Sequence, residues 1–350
     1  MPSVARLRSW HHGSVRLRTL IPVTAAVGAA AVGYVTVIER NWFALRRFEL
    51  PVLPPGSEPL RVLHISDAHL TPGRKRLMSW IRALDDLDPH LVVNTGDSIA
   101  HPGAVRYFLD SLGPLLDRPG VFVFGSNDLY GPRPGNPLRY LQSEGSRGRG
   151  KKNIDLPWEK LRDGMLADGW LDLNNQRGQL TVGGLDIAFG GVHDSHIFRD
   201  RYEQVAGPAD PAAALRIGVL HSPEPRLLDR FTADGYELLL AGHTHGGQLC
   251  LPVYGTLVTN CGIDRERARG LHRHPADGRP WLHVSAGLGT SPWAPARFAC
   301  RPEASLLTLV PRDSACPWRP RLYRGRRAVR SPARAGPRFG YTIQVSCGTD

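Results

Sequence analysis

Residues Glu237–Leu249 read "ELLLAGHTHGGQL". An apolar run stops at a glycine, and two histidines follow with one residue between them. An uninterrupted apolar run of this length reads as a strand covered on both faces, the habit of parallel sheets. The same design recurs upstream. "LRVLHIS" (Leu60 to Ser66) runs into Asp67 and His69, and "HLVVNTGD" (His90 to Asp97) ends in Asp97 after a glycine. "GVFVFGSND" (Gly120 to Asp128) and "LRIGVLHS" (Leu215 to Ser222, with His221) repeat it. Between these runs lie "RLMSWIRALDDL" (Arg76 to Leu87), "AVRYFLDSLGPLL" (Ala104 to Leu116) and a segment around Leu227, with apolar residues at helical spacing. Strand and helix in alternation predict crossover units and a largely parallel sheet.

Further outward the rhythm changes. Residues 131–155, rich in Pro, Gly and Arg, read as a long loop, followed by a helix in "PWEKLRDGMLADG". "QLTVGG" and "LDIAFGGV" predict short strands about a Gly-Gly turn, and "PWLHVSAGLG" and "EASLLTLV" predict closing antiparallel strands. The globular domain then spans 58–311, preceded by a linker over 39–57 that Pro51, Pro54 and Pro55 mark as extended. Residues 19–38, "TLIPVTAAVGAAAVGYVTVI", are twenty residues without a charge, long enough for a transmembrane helix after the basic segment 1–18. Arginines flank it on both sides, and their balance favours a cytoplasmic N-terminus and an extracytoplasmic domain. The expected product is a single-pass membrane protein.

The formal net charge of +12 invites a nucleic-acid reading. Its distribution argues otherwise. From Pro311 to Asp350 there are nine arginines against two aspartates, so 9 − 2 = +7 of the excess lies in a tail (312–350) without apolar periodicity. That composition reads as a solvated, disordered segment. With no aromatic stacking platform, no specific nucleic-acid partner is expected. Five cysteines without a CxxC indicate neither a thiolate zinc site nor a disulfide framework; one bridge remains possible, and sequence does not pair it.

Asp, His and Asn thus gather where apolar strands finish, the edge at which open α/β sheets bind ligands. Residues i and i+2 of an extended chain point the same way, so Asp67 and His69 can hold one ion, and His243 and His245 repeat the device. Mixed imidazole and carboxylate donors suit Mn, Fe or Zn better than Ca or Mg.

"HISDAHL", "NTGDS", "GSND", "LHSP" and "AGHTHGGQ", in that order, resemble the blocks of the calcineurin-like metallophosphoesterases, most like the membrane-anchored or exported bacterial branch. The resemblance implies a four-layer α-β-β-α sandwich of two mixed sheets. It implies two divalent metal ions and a bridged hydroxide that hydrolyses a phosphoester or pyrophosphate. Carried over residue by residue, Asp67, His69 and His245 would bind one ion, Asp97 would bridge, and His221 and His243 would bind the other. The family's G-N-H-[DE] block is altered here. Ser126 stands in the place of its ligand Asn when aligned position for position; a one-residue slip makes Asn127 the ligand, which a carboxamide oxygen suits better than a neutral hydroxyl. Either way the family's acid His is absent, and Asp128 or His193 is left as a proton donor. Activated esters and anhydrides, whose leaving groups need no proton, are therefore the expected substrates. An exported anchor points to phosphorylated small molecules or lipid-linked diphosphates. The alternative is a membrane-tethered pseudo-enzyme that uses an altered metal site as a binding module.

Overall fold

The computed structural model describes residues 17–133, 153–275 and 278–313. The tail from 314 and most of the loop expected over 131–155 lie outside them, as do residues 1–16 of the basic N-terminal segment.

The first described elements are helix α1 (Leu17–Gly33) and strand β1 (Ala44–Leu53). Next come β2 (Leu60–Ile65), α2 (Lys75–Arg82), β3 (Leu91–Asn94), α3 (Val105–Leu112), β4 (Gly120–Phe122) and a single helical turn α4 (Ser126–Leu129). Helix α5 (Trp158–Ala167) leads into β5 (Leu171–Asp172), β6 (Gln176–Val182), β7 (Leu185–Val192) and β8 (Leu215–Leu220). After α6 (Pro225–Ala233) and β9 (Leu238–Ala241) comes a small hairpin, β10 (Cys250–Leu251) and β11 (Gly255–Thr256). Strands β12 (Gly270–Arg273), β13 (Trp281–Val284) and β14 (Glu303–Pro311) close the fold.

Two six-stranded sheets form, in the orders β1-β14-β2-β3-β4-β5 and β12-β13-β9-β8-β7-β6. Strands β2 to β5 run parallel in the first, and β7, β8, β9 and β13 in the second, because each connection carries a helix or a long loop back across its sheet. Both sheets are mixed: β14 is antiparallel to β2, β6 to β7, and β12 to β13. Val62, Leu91, Val93, Val121 and Val123 of the first sheet pack on Ile187, Phe189, Ile217, Val219 and Leu238 of the second. Leu77, Ile81, Phe108, Leu112, Leu161 and Met165 of α2, α3 and α5 cover the first sheet's outer face, and Leu227, Leu228 and Phe231 of α6 cover the second's. The layers are helix, sheet, sheet, helix. Where β2 meets β13, the buried rings of His64 and His283 face each other with Nδ1 atoms 2.8 Å apart, and His64 Nε2 lies 3.0 Å from Thr95 Oγ1.

Four sequence expectations change. The linker expected over 39–57 supplies β1, an edge strand lying parallel to β14 in register Ala44↔Glu303, and its Pro51 is tolerated because an outer strand has a free side. The closing strands are not simply antiparallel, since β13 also pairs parallel with β9 and β14 parallel with β1. The "GSND" stretch is a helical turn after β4, not the strand's own end. The transmembrane helix expected over 19–38 is not found. Helix α1 has 17 residues and gives way to a π-helical turn over Tyr34–Ile38. At 1.5 Å per residue its described part spans roughly 25 Å, against a hydrocarbon layer of ~30 Å. Among the described residues no helix is long and apolar enough to cross a membrane.

Candidate metal centre

Each candidate ligand follows the end of a parallel strand: Asp67 and His69 follow β2, Asp97 β3, Asn127 β4, His221 β8, and His243 with His245 β9. Asp67, His69, Asp97, His243 and His245 all have φ between +42° and +68°. A left-handed conformation at a residue with a Cβ costs about 1–3 kcal/mol and persists only when its surroundings enforce it. Here the strand-end loops enforce it on one another. The amides of Asp67, His69 and Leu70 donate to the carbonyls of Gly96, Asp97 and Ser98, and those of Leu288 and Gly289 donate to Ser66 and Asp67. Gly125 is required by space: a Cβ there would overlap Asp97 Oδ1 and His221 Cε1.

The donor atoms converge from both sheets. His69 Nε2 and His245 Nε2 are 3.0 Å apart, and Asp67 Oδ1 lies 3.6 Å from the latter and 4.0 Å from the former. Asp97 Oδ2 is 3.5 Å from both His69 Nε2 and His221 Nε2. Donors bound at about 2.0–2.2 Å to one cation sit roughly 2.8–3.6 Å apart when adjacent and about 4.0–4.4 Å when opposite each other in an octahedron, so the spacings, the 4.0 Å one included, are those of a cation site. Among the described residues two groups have this geometry: Asp67, His69 and His245; and Asp67, Asp97 and His221. Asp67 Oδ1 and His221 Nε2 are buried with no hydrogen-bond partner. Buried polar atoms are almost always satisfied, and a cation is the partner both atoms fit. Burial holds His69 and His245 below the ordinary imidazole range, so both rings are neutral, the form that binds a metal. Burial also pushes His221 down, but the carboxylates of Asp97 and Asp194 outweigh it and raise the ring.

Other groups aim the ligands. His221 Nδ1 lies 2.7 Å from the Thr95 carbonyl, an acceptor that keeps a proton on Nδ1, so a cation displacing the second proton would meet Nε2. His243 stands outside both clusters: its Nε2 is 3.2 Å from the Asn260 carbonyl, and its ring packs on His221 and His196. Asn127 grips Asp97 twice, its amide donating to Oδ1 and its Nδ2 to Oδ2, each at 2.7 Å. Ser126 Oγ lies 3.4 Å from Asn127 Nδ2.

The two expected proton donors are placed as follows. Asp128 is fully buried. Its Oδ1 accepts the amides of Ser98 and Ile99, and its Oδ2 those of Asp97 and Gly125. Burial and then the charge of Asp97 push its carboxyl up to about 7, against the pull of those amides. His193 Nδ1 accepts the amide of Asp194, and burial pushes the ring down to about 3, so at neutral pH it is the neutral imidazole and lacks the acidic imidazolium proton. Two neighbours of the site had no signal in the sequence. Asp194 is buried, its carboxyl raised by burial to about 6, with Oδ2 unpartnered. Arg297, fully buried, donates to the carbonyls of His245 (2.9 Å) and Gly289 (2.6 Å) and lies 3.2 Å from His245 Nδ1. A single arginine in "APARFAC" carries no pattern that could have found it.

A profile described as "Calcineurin-like phosphoesterase" matches residues 60–247, which contain all of these candidate ligands. The chain is 26% identical over 300 residues to the phosphodiesterase YaeI of Escherichia coli, covering 84% of this chain and 98% of that protein. It is 27% identical over 303 residues to the uncharacterized protein YpbG of Bacillus subtilis, covering 85% and 97%. It is 27% identical over 282 residues to the UDP-2,3-diacylglucosamine pyrophosphatase LpxG of Chlamydia trachomatis, covering 71% and 83%.

Proposed function

The chain belongs to the calcineurin-like phosphoesterases, and on that footing we propose that it hydrolyses activated phosphodiesters or phosphoanhydrides at a site for two divalent cations. The observation that carries this reading is the pair of buried, unpartnered donors, Asp67 Oδ1 and His221 Nε2, inside a cluster with cation spacing. Asp67, His69 and His245 would hold one ion and His221 and Asn127 the other, with Asp97, whose Oδ2 is 3.5 Å from both His69 Nε2 and His221 Nε2, available to both. Nδ2 of Asn127 is committed to Asp97, which leaves its Oδ1 as the donor, and Ser126 remains a neighbour. His243 joins them through Nδ1, because the Asn260 carbonyl takes the proton of Nε2. Bound cations would supply Lewis acidity, lowering the pKa of water and neutralising phosphoryl oxygens.

The chain's own residues narrow the substrate. Asp128 acts by positioning: one carboxylate holds the amides on both sides of Asp97. His193 is neutral at neutral pH and is a poor general acid. General acid assistance is worth about 10²–10⁴-fold, so its lack favours leaving groups that depart as stable anions, such as an aryloxide or a phosphate. The LpxG and YaeI likenesses support an anhydride or a diester as the bond cut. Manganese, iron and zinc all suit the donor set.

We place α1 against a membrane surface. The helix is apolar and stands out from the domain, with Val27 64% and Val32 61% exposed.

The test is hydrolysis of an aryl phosphodiester by the full chain with added Mn²⁺, Zn²⁺ or Fe²⁺. Turnover that needs metal and is absent in Asp97→Ala supports the proposal. Metal uptake without turnover on any diester, monoester or anhydride would favour a binding module.

A further inference from the structure

Two thiols lie against each other directly behind His245. Cys250 in β10 and Cys300 just before β14 are both buried and unbridged. Their sulfurs converge on one oxygen: Cys250 Sγ is 3.2 Å and Cys300 Sγ 3.4 Å from the carbonyl of Gly246. The two side chains pack together with Ala286 in one small buried cluster. The backbone arranges this meeting. Leu249 and Phe298 form a parallel bridge, and the Cys250 amide donates to the Phe298 carbonyl at 2.8 Å. Ala299 then takes a left-handed turn (φ +49°) that brings Cys300 back toward Cys250. On its other side Cys300 Sγ is 3.3 Å from the carbonyl of His245, while Arg297 reaches both His245 and Cys300.

We propose that Cys250 and Cys300 are a disulfide-forming pair that staples the ligand loop His243–Gly247 to the chain entering β14. The oxidant is a disulfide, either a small molecule such as glutathione disulfide or an oxidoreductase that carries one. One cysteine thiolate attacks the oxidant's S–S bond and forms a mixed disulfide, releasing one thiolate. The other cysteine displaces the second. One S–S bond forms in the protein and one breaks in the oxidant, which leaves as two thiols with the two electrons and both protons. Both cysteines are buried in the fold, so the exchange occurs before the loop closes over them or when it opens. The bond persists in an oxidising compartment, and in a reducing one the pair stays as thiols. The closed loop runs from 250 to 300 and contains Arg297, the residue that holds His245. Of the other cysteines, Cys261 packs in a separate cluster against the α6 side, and Cys316 and Cys347 lie outside the described residues.

The test refolds the full chain from denaturant in a glutathione–glutathione disulfide buffer and maps the bridges by peptide mass. Refolding removes burial as a barrier to the oxidant. Cys250–Cys300 is expected to exceed every other pairing of the five cysteines. The bridged protein is expected to melt about 5–10 °C above the same protein reduced, the gain a loop of this length gives a domain of this size. That difference should vanish in both Cys250→Ala and Cys300→Ala. Another dominant pairing, free thiols at both positions after refolding, or a bridged protein that melts no higher than the reduced one would each overturn the proposal.

Discussion

Replacing Asp128 by Asn separates two roles that one carboxyl could play. The carboxylate accepts four amides, two at each oxygen, from Asp97, Ser98, Ile99 and Gly125. An asparagine keeps one acceptor and turns an NH₂ toward the other two amides. Two buried donors are then unsatisfied, at about 1–3 kcal/mol each. The neutral amide also removes a buried charge, which gives part of this back. A net loss of roughly 2–4 kcal/mol remains, which lowers the melting temperature by about 5–15 °C for a domain of this size. Because the lost bonds fix the backbone on both sides of Asp97, affinity for Mn²⁺ or Zn²⁺ should fall at least tenfold in Asp128→Asn. Turnover of aryl and alkyl phosphodiesters should fall together. Calorimetry, metal titration and rates on the two substrate classes give the three readings. If Asp128→Asn kept its melting temperature and metal affinity and lost turnover only on the alkyl ester, Asp128 would be a proton donor and the positioning argument would be refuted.

Gly125→Ala should lower metal affinity at least tenfold, since the new methyl overlaps Asp97 Oδ1 and His221 Cε1; isothermal titration with Zn²⁺ checks this. His243→Gly should be about 1–2 kcal/mol more stable than His243→Ala in urea unfolding, because φ at this position is +68° and only glycine adopts it freely. Acid should unfold the protein through its buried histidines. Burial holds His64 down at about 3, so between pH 6.5 and about 3 the unfolded chain binds a proton the fold refuses. Stability is thus full above the unfolded pKa and falls with pH through that window, by roughly 4–5 kcal/mol for this residue alone. His64→Gln should reduce the slope of stability against pH by about one proton, and an unchanged slope would remove His64 as the cause.

Much of the fold was legible because the information is local. An uninterrupted apolar run says buried strand, and a helical period between two such runs says crossover. A D-x-H at the strand's end says that two side chains share a direction. The first two readings hold for β2, β3, β8, β9 and the helices between them; the third does not, because Asp67, His69, His243 and His245 lie past the strand ends in left-handed backbone, and His243 joins neither cluster. Local readings fail where the deciding partner is remote. Strand β1 looks like a linker because its three neighbouring prolines signal extension, and only pairing with β14, some 260 residues on, makes it part of a sheet. "GSND" continues an apolar run on paper, yet the amides it serves belong to Asp97 and Ser98, so the chain curls into a helical turn to bring Asp128 under them.

The sequence by itself determined which residues finish each strand, and so the donor chemistry of the site and the class of fold. Tertiary structure alone decided how the donors combine. His69 and His245 are 176 positions apart and meet at 3.0 Å because two sheets pack face to face and end at the same edge. Whether His243 points its Nε2 at an ion or at Asn260, whether Asp128 gives a proton or holds a loop, and which cysteine faces Cys250 are questions of that packing. Side-chain type sets what an atom can bind; only the close approach of distant segments sets what it meets.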